Sequence, residues 1–300
     1  MIAACPCCTN RHLYLKRVND SLETSVCSKC GLFLGHFTLS NGEGAGYAQL
    51  DLRAYERSIG QLRTSEASTL VSRVRRLAPQ PAVWLDLGCG AGRLLQQARS
   101  YFKTLGVEPD GLARSLAQAA SPETRVAATL SELALPDGSV TVVSMLDVLE
   151  HIEPGNLQTL AREVLRSLST GGLWLIKVPS SDGLFFRCVN LISRLWPLLV
   201  SGAIARLWLL NYPSPHYEYF NDRSLRCFLQ TTGFETLETF YLPTLPVYSA
   251  FSRLTLDSSI PKWKAVLALP LVFLLTIAER LYGRTDSLVA IARKPAESSV

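Results

Sequence analysis

The chain has 300 residues, 48% of them hydrophobic and 18% charged, a balance that excludes wholesale disorder. Its net charge of +5, from 30 basic and 25 acidic residues, comes without a long single-sign run, so the concentrated basic stripe of a nucleic-acid reader is missing. The mean hydropathy of +0.17 says that part of the chain is more apolar than a core requires.

In chain order, the first feature is cysteine. The start, Met1-Ile2-Ala3-Ala4, lacks the charged and apolar regions of a secretory signal, so a cytoplasmic protein with reduced thiols is expected. Five of the eight cysteines stand in the first 30 residues, as Cys5-Pro6-Cys7-Cys8 and Cys27-Ser28-Lys29-Cys30. Two C-x-x-C turns each bring a pair of thiolates to one side, and together they complete a tetrahedral Zn²⁺ site with Zn–S distances of ~2.3 Å. Cys5, Cys8, Cys27 and Cys30 are the expected metal ligands, with His12 and His36 as alternatives and Cys7 as a spare thiol. With short strands at Leu13–Leu15 and Leu32–Leu34, residues 1–40 read as a zinc ribbon too small to fold without its ion. The expected role of that ion is structural, and a substrate-binding role is the alternative.

Asn41–Gly46 reads as a flexible linker, and Tyr47–Leu77 has helical periodicity that ends before Pro79 and Pro81, so 41–81 forms a linker with N-terminal helices. From residue 82 to 300 strands and helices alternate, which argues for an α/β domain with a mostly parallel sheet covered on both faces. Strands are predicted at Val83–Leu87, Thr104–Val107, Arg125–Ala128, Val140–Met145, Leu173–Val178, Thr236–Tyr241 and Ser287–Ala292, the last running antiparallel. Helices are predicted at Arg93–Ser100, Leu112–Ala119, Leu157–Leu168 and Ser224–Thr231.

Between the first strand and helix of this domain stands Asp86-Leu87-Gly88-Cys89-Gly90-Ala91-Gly92, whose glycines permit a sharp turn and close backbone approach to a ligand. Glu108, ending the next strand in Gly106-Val107-Glu108-Pro109, lies about 20 residues further on, where a carboxylate can receive both hydroxyls of a ribose. The spacing is not that of a dinucleotide loop. Asp86 ahead of the glycines suits a cationic amino-acid ligand.

These residues, with Leu135-Pro136-Asp137-Gly138-Ser139, Leu146-Asp147-Val148-Leu149-Glu150-His151-Ile152 and Gly171-Gly172-Leu173-Trp174-Leu175-Ile176-Lys177-Val178-Pro179, closely resemble class I S-adenosylmethionine-dependent methyltransferases. The resemblance implies a Rossmann-like seven-stranded fold. It also implies that Asp86 and the Gly88 and Gly90 backbone hold the methionine part of the cofactor, that Glu108 binds its ribose hydroxyls, that the Met145–Asp147 segment lines the cofactor beside the methyl group, and that Leu87, Cys89, Pro109, Leu146 and Asp147 belong to the cofactor site. Asp147 as a mere cap is the alternative. Two positions depart from the pattern: Ala127-Ala128-Thr129 where an acid often meets adenine, leaving Thr129, Ser131 or a backbone carbonyl, and Thr141 where an aspartate often opens the fourth strand.

Methyl transfer needs an aligned nucleophile and, for a hydroxyl or acidic carbon, a base; His151 and His216 are the expected candidates, with Glu150 behind them. The apolar surplus lies in two insertions, 184–210, interrupted by Arg187, Arg194 and Arg206, and 258–283, with its charge-free run Ala265–Ala278. Neither reaches the ~20 residues of a comfortable membrane span. Both are expected at the carboxyl edge of the sheet, lying in a membrane interface over the substrate mouth, the alternatives being a helical subdomain or a dimer contact. The reading is therefore a methyltransferase for a small or lipid-linked acceptor, a glycan intermediate or lipophilic metabolite, methylated on oxygen or carbon by a peripheral membrane enzyme. An RNA methyltransferase and a non-catalytic cofactor-binding module are the alternatives. The residues leave the oligomeric state open.

Overall fold

The computed structural model describes residues 4–17, 22–37, 52–80, 82–195, 203–204, 207–210, 214–243 and 262–296. The predicted linker Asn41–Gly46, the run 196–200 and the start of the second insertion lie outside them.

Seven strands form the main sheet: β4 (Val83–Leu87), β5 (Lys103–Val107), β6 (Arg125–Ala127), β7 (Val140–Leu146), β8 (Leu168–Pro179), β10 (Glu235–Tyr241) and β11 (Ser287–Arg293). Their order is β10-β11-β8-β7-β4-β5-β6. β11 pairs antiparallel with both β8 and β10, and every other pairing is parallel, as the sequence predicts. The strands read as near-continuous apolar runs because both faces are covered. Trp84, Val142, Leu175, Val289 and Ile291 face α1 (Leu52–Leu77) and α2 (Arg93–Ala98). Leu85, Val143, Trp174, Ile176 and Ala290, one residue out of phase, face α4 (Leu157–Ser167) and α6 (Asp222–Thr231). α3 (Gly111–Ala120) packs beside β6, with Asp110 accepting the Ala113 N–H as its cap.

A second sheet contains β1 (Leu13–Arg17), β2 (Glu23–Cys27), β3 (Phe33–His36) and β9 (Glu218–Tyr219), all antiparallel. β9 belongs to the chain after β8, so this sheet crosses the boundary drawn at residue 40. Further bonds fix the junction: Asn221 Nδ2 donates to the Gly31 carbonyl, Gln158 Nε2 to that of Pro6, and the Thr231 hydroxyl to that of Cys7. Asn221 also caps α6 in a reciprocal box with Ser224. A Cβ on Gly31, whose φ is +74°, would stand 2.8 Å from Asn221 Nδ2.

The two insertions emerge at the carboxyl edge, as expected, as α5 (Leu184–Leu195) and α7 (Lys262–Tyr282), which pack on each other. Asp286 accepts the Phe185 and Phe186 N–H groups. Much of the first insertion's apolar surface is buried: Phe186, Val189, Ile204 and Trp208 form a small core with Leu22 and Tyr219 under the cysteine-bearing sheet. α7 is different. Trp263, Val266, Phe273, Leu274, Ile277 and Leu281 are all exposed, and with exposed Pro270 between Val266 and Phe273 they follow the helical repeat along one side. No helix among the described residues is long and apolar enough to cross a membrane.

Candidate active site

The carboxyl ends of β4, β5 and β7 converge on one cleft edge. After β4 the chain turns through Gly88, Gly90 and Gly92, all at positive φ. Their needs differ. A Cβ on Gly88 would overlap Val148 Cγ2 at 2.5 Å and one on Gly92 would press on the Ala117 backbone, whereas one on Gly90 would meet nothing within 4 Å. Space for a ligand therefore opens at Gly90.

Four N–H groups of this loop are used within the protein itself. Gly88 and Cys89 donate to the Val107 carbonyl, Gly90 to Glu108 Oε2 and Gly92 to the Cys89 carbonyl, and α2 behind the loop is only six residues long. Among these groups, what is left for a ligand is side-chain chemistry and open space. Cys89 packs its thiol with Leu95 and Ala117, and Leu87 is also a core side chain, so both shape the loop from beneath.

Asp86 is 3% exposed and accepts from the Ser144 hydroxyl at 2.6 Å, which in turn accepts from Trp84 Nε1 at 2.7 Å. Burial pushes the Asp86 carboxyl up to about 7, the Ser144 bond opposing it. The two Glu108 oxygens receive the Gly90 and Asp110 N–H groups, which hold the carboxylate rigidly between glycine loop and β5. Pro109 is exposed beside it, its carbonyl tied to Arg114.

Leu146 ends β7, and Asp147 follows at φ +56°. The Asp147 carboxylate pairs with Arg63 at 2.8 Å and Lys177 at 3.1 Å rather than capping a helix among the described residues, and Lys177 also pairs with buried Glu66. Burial would raise this carboxyl, but Lys177 and Arg63 outweigh it and hold it at about 2. Arg63, Glu66 and Lys177 went unread in the sequence because their partners are far away along the chain.

His151 and His216 are brought together, ring centroids 4.8 Å apart, with Glu150 alongside. Burial lowers both histidines, His216 to about 3. Burial and then Asp147 push Glu150 well up. At the departures from the family pattern, Thr141 accepts the Val83 N–H, tying β7 to β4. Beyond β6, Glu132 turns back to accept from the Ala128 N–H and the Thr129 hydroxyl, so a carboxylate stands there after all, supplied from further along the chain.

Cys5, Cys8, Cys27 and Cys30 are all buried, with sulfurs mutually within 4.8 Å. The Cys5–Cys30 and Cys8–Cys27 sulfurs are 3.5 and 3.4 Å apart, close to the ~3.8 Å edge of a tetrahedron with ~2.3 Å Zn–S bonds. Backbone N–H groups of Cys7 and Cys8 point at the Cys5 sulfur, and those of Lys29 and Cys30 at Cys27. This donor set fits a thiophilic ion. Neither alternative ligand joins it: His36 Nε2 bonds to Ser25, and His12 is exposed. Cys7 is a fully buried packing residue.

A mostly parallel sheet with one reversed strand, a glycine loop after β4 and an acid just beyond β5 give the chain a Rossmann-like α/β fold with one candidate cleft edge. Residues 60–239, more than half of the chain, match the family described as "Methyltransferase domain", and the chain belongs to that family. No curated protein matches it. Among solved structures, the complex between the Haloferax volcanii Trm112 methyltransferase activator and the putative methyltransferase is similar at 15% identity, over 82% of this chain and 95% of that one, with TM-score 0.53. Geranyl diphosphate C-methyltransferase from Streptomyces coelicolor, in complex with Mg²⁺, geranyl diphosphate and S-adenosyl-L-homocysteine, is similar at 13% identity over 77% of each chain, with TM-score 0.50. A putative sarcosine dimethylglycine methyltransferase from Galdieria sulphuraria is similar at 17% identity, over 78% and 86%, with TM-score 0.50. At these identities the likeness is one of fold.

Proposed function

We propose that this protein transfers the methyl group of S-adenosylmethionine to an oxygen or carbon of a small or lipid-linked acceptor, a glycan intermediate or lipophilic metabolite, that it meets at a membrane surface. When bound, the cofactor supplies an electrophilic methyl on a sulfonium. Asp86 would receive its ammonium group, the space at Gly90 its chain, and Glu108, held by two N–H groups, its ribose hydroxyls. Glu132 replaces Thr129 and Ser131 as the group that would receive the adenine amino hydrogens. Leu146 and Asp147 border the acceptor side, where His151 and His216 take part in handling the acceptor's proton. The cysteine cluster would hold a structural Zn²⁺.

The observation that carries the acceptor class is the exposed apolar row of α7. Twenty-one residues at ~1.5 Å rise make a helix about 30 Å long, which emerges at the carboxyl edge of the sheet. Arg187 and Arg284, each about half exposed and bound to Asp182, stand where the insertions meet the sheet, suited to anionic headgroups. Incubation of the pure protein with methyl-labelled cofactor and a lipid extract, a water-soluble glycan pool or RNA tests the reading. Label is expected in the organic phase; label in RNA alone would overturn it.

A further inference from the structure

We propose that Glu150, His151 and His216 form a divalent-cation site, distinct from the cysteine cluster, that holds neighbouring oxygen atoms of the acceptor. One nitrogen of each ring and a Glu150 oxygen lie within 4.8 Å of one another. The residues come from two stretches: Glu150 and His151 from the single turn after β7, and His216 from the approach to β9.

Hydrogen bonds fix both tautomers. His151 Nδ1 is 3.0 Å from the Pro215 carbonyl oxygen, which only accepts, so Nδ1 carries the proton and Nε2 a lone pair. His216 Nδ1 is 3.0 Å from the Tyr219 hydroxyl, which itself donates to the Leu207 carbonyl. That hydroxyl can then only accept from Nδ1–H, and His216 Nε2 is again a lone pair. Glu150 is 1% exposed, and its Oε2 has no partner. Two residues beyond His216, Glu218 is wholly buried with both carboxylate oxygens unpartnered. Lone pairs of Glu150, His151 and His216 therefore converge here with no hydrogen-bond donor from another described residue, an arrangement that is costly unless a proton is held between them or a cation takes that proton's place.

Two neutral imidazoles and a carboxylate are the donor set of divalent first-row ions that keep open positions for other ligands. The Pro215 carbonyl and the Tyr219 hydroxyl are the outer partners that such histidines use to hold their orientation. Asp147 is not part of the set, being paired with Lys177 and Arg63. The location gives the ion its task. Val148, two residues before Glu150, packs on the Gly88 turn, so the cluster borders the glycine loop. An acceptor with adjacent hydroxyls would fill the open positions, and a hydroxyl bound to the ion is a stronger acid. In this arrangement the histidines act on the acceptor proton through the ion, in place of a single histidine base: the ion-bound hydroxyl releases its proton to solvent water as its oxygen takes the methyl group and the sulfonium sulfur takes back the C–S bonding pair.

The acceptor part rests on the methyltransferase reading, whereas the cation part stands alone, and two measurements separate them. Full-length protein with zinc already in its cysteines is titrated with Mn²⁺, followed by loss of the free-ion paramagnetic resonance signal, and in parallel with Co²⁺, followed by visible absorption. Mn²⁺ favours oxygen and nitrogen over thiolate, so it does not report the cysteines. One Mn²⁺ or Co²⁺ per chain is expected, weakened at least tenfold in Glu150→Gln and His216→Ala. Tyr219→Phe, which acts only by positioning His216, should weaken it about tenfold. Uptake of neither ion by the folded wild type, or equal uptake by Glu150→Gln and His216→Ala proteins whose circular dichroism is unchanged, overturns the site. Calorimetry with S-adenosylmethionine on the same samples tests the methyltransferase reading independently.

Discussion

Alanine at Gly88 and at Gly90 should do opposite things. At Gly88 (φ +74°) the new methyl would lie 2.5 Å from Val148 Cγ2. A non-glycine residue in the left-handed region costs ~1–2 kcal/mol. Displacing a packed side chain adds ~1–3 kcal/mol. The stiffer unfolded chain returns ~0.4–1 kcal/mol, so Gly88→Ala should lose about 1–5 kcal/mol of stability. At Gly90 (φ +52°) the methyl meets no atom within 4 Å, leaving only the strain less the unfolded-chain gain, about 1 kcal/mol. Yet that empty volume is the assigned path of the cofactor, so Gly90→Ala should bind S-adenosylmethionine at least tenfold more weakly. Urea melts and titration calorimetry on the two variants read the two effects separately. A Gly90→Ala protein that binds the cofactor as tightly as wild type would refute the reasoning.

Other consequences are open to the same methods. The Asp86 carboxyl at about 7 is neutral in acid, so capturing an ammonium ligand there must expel a proton below pH 7. Affinity for S-adenosylmethionine should be flat above pH 7.5 and fall by up to tenfold per unit below pH 7; Ser144→Ala, which removes a bond that favours the carboxylate, should move the midpoint upward, and an affinity constant from pH 5 to 8 would show that Asp86 does not meet the ammonium group. Stripping zinc with a chelator should lower the melting temperature and shift tryptophan emission to the red, because Trp208 lies against Gly35 of the cysteine-bearing sheet; an unchanged melt would mean that the cluster holds no structural ion. Leu274→Glu with Leu281→Glu, both on the exposed α7 row, should abolish sedimentation with anionic vesicles while leaving cofactor affinity intact, and wild type that ignores vesicles would refute the membrane part.

What the sequence made legible follows from where each signal resides. Strands such as Leu173–Val178 are buried on both faces, so their apolar runs stand out, and the glycine loop is local chemistry. The cysteine spacing is local too, and it brings the four sulfurs together as predicted. β9 is two residues long and is a strand only because β3 lies beside it. Glu132 is hidden in the sequence for a similar reason: it reaches the end of β6 by folding back, not by standing in the strand. The ion pairs of Asp147 and the meeting of Glu150 with His216 join segments distant in sequence. The first insertion read as an interfacial helix because burial under a second sheet leaves no periodic signature different from burial in lipid.

The central claim is that the carboxyl edge of this sheet binds S-adenosylmethionine as a methyl donor. Titration calorimetry of the zinc-loaded wild type and of Glu108→Ala tests it most directly. One cofactor per chain, with affinity reduced at least tenfold in the variant, is the predicted result; no heat of binding from the folded wild type would contradict the account.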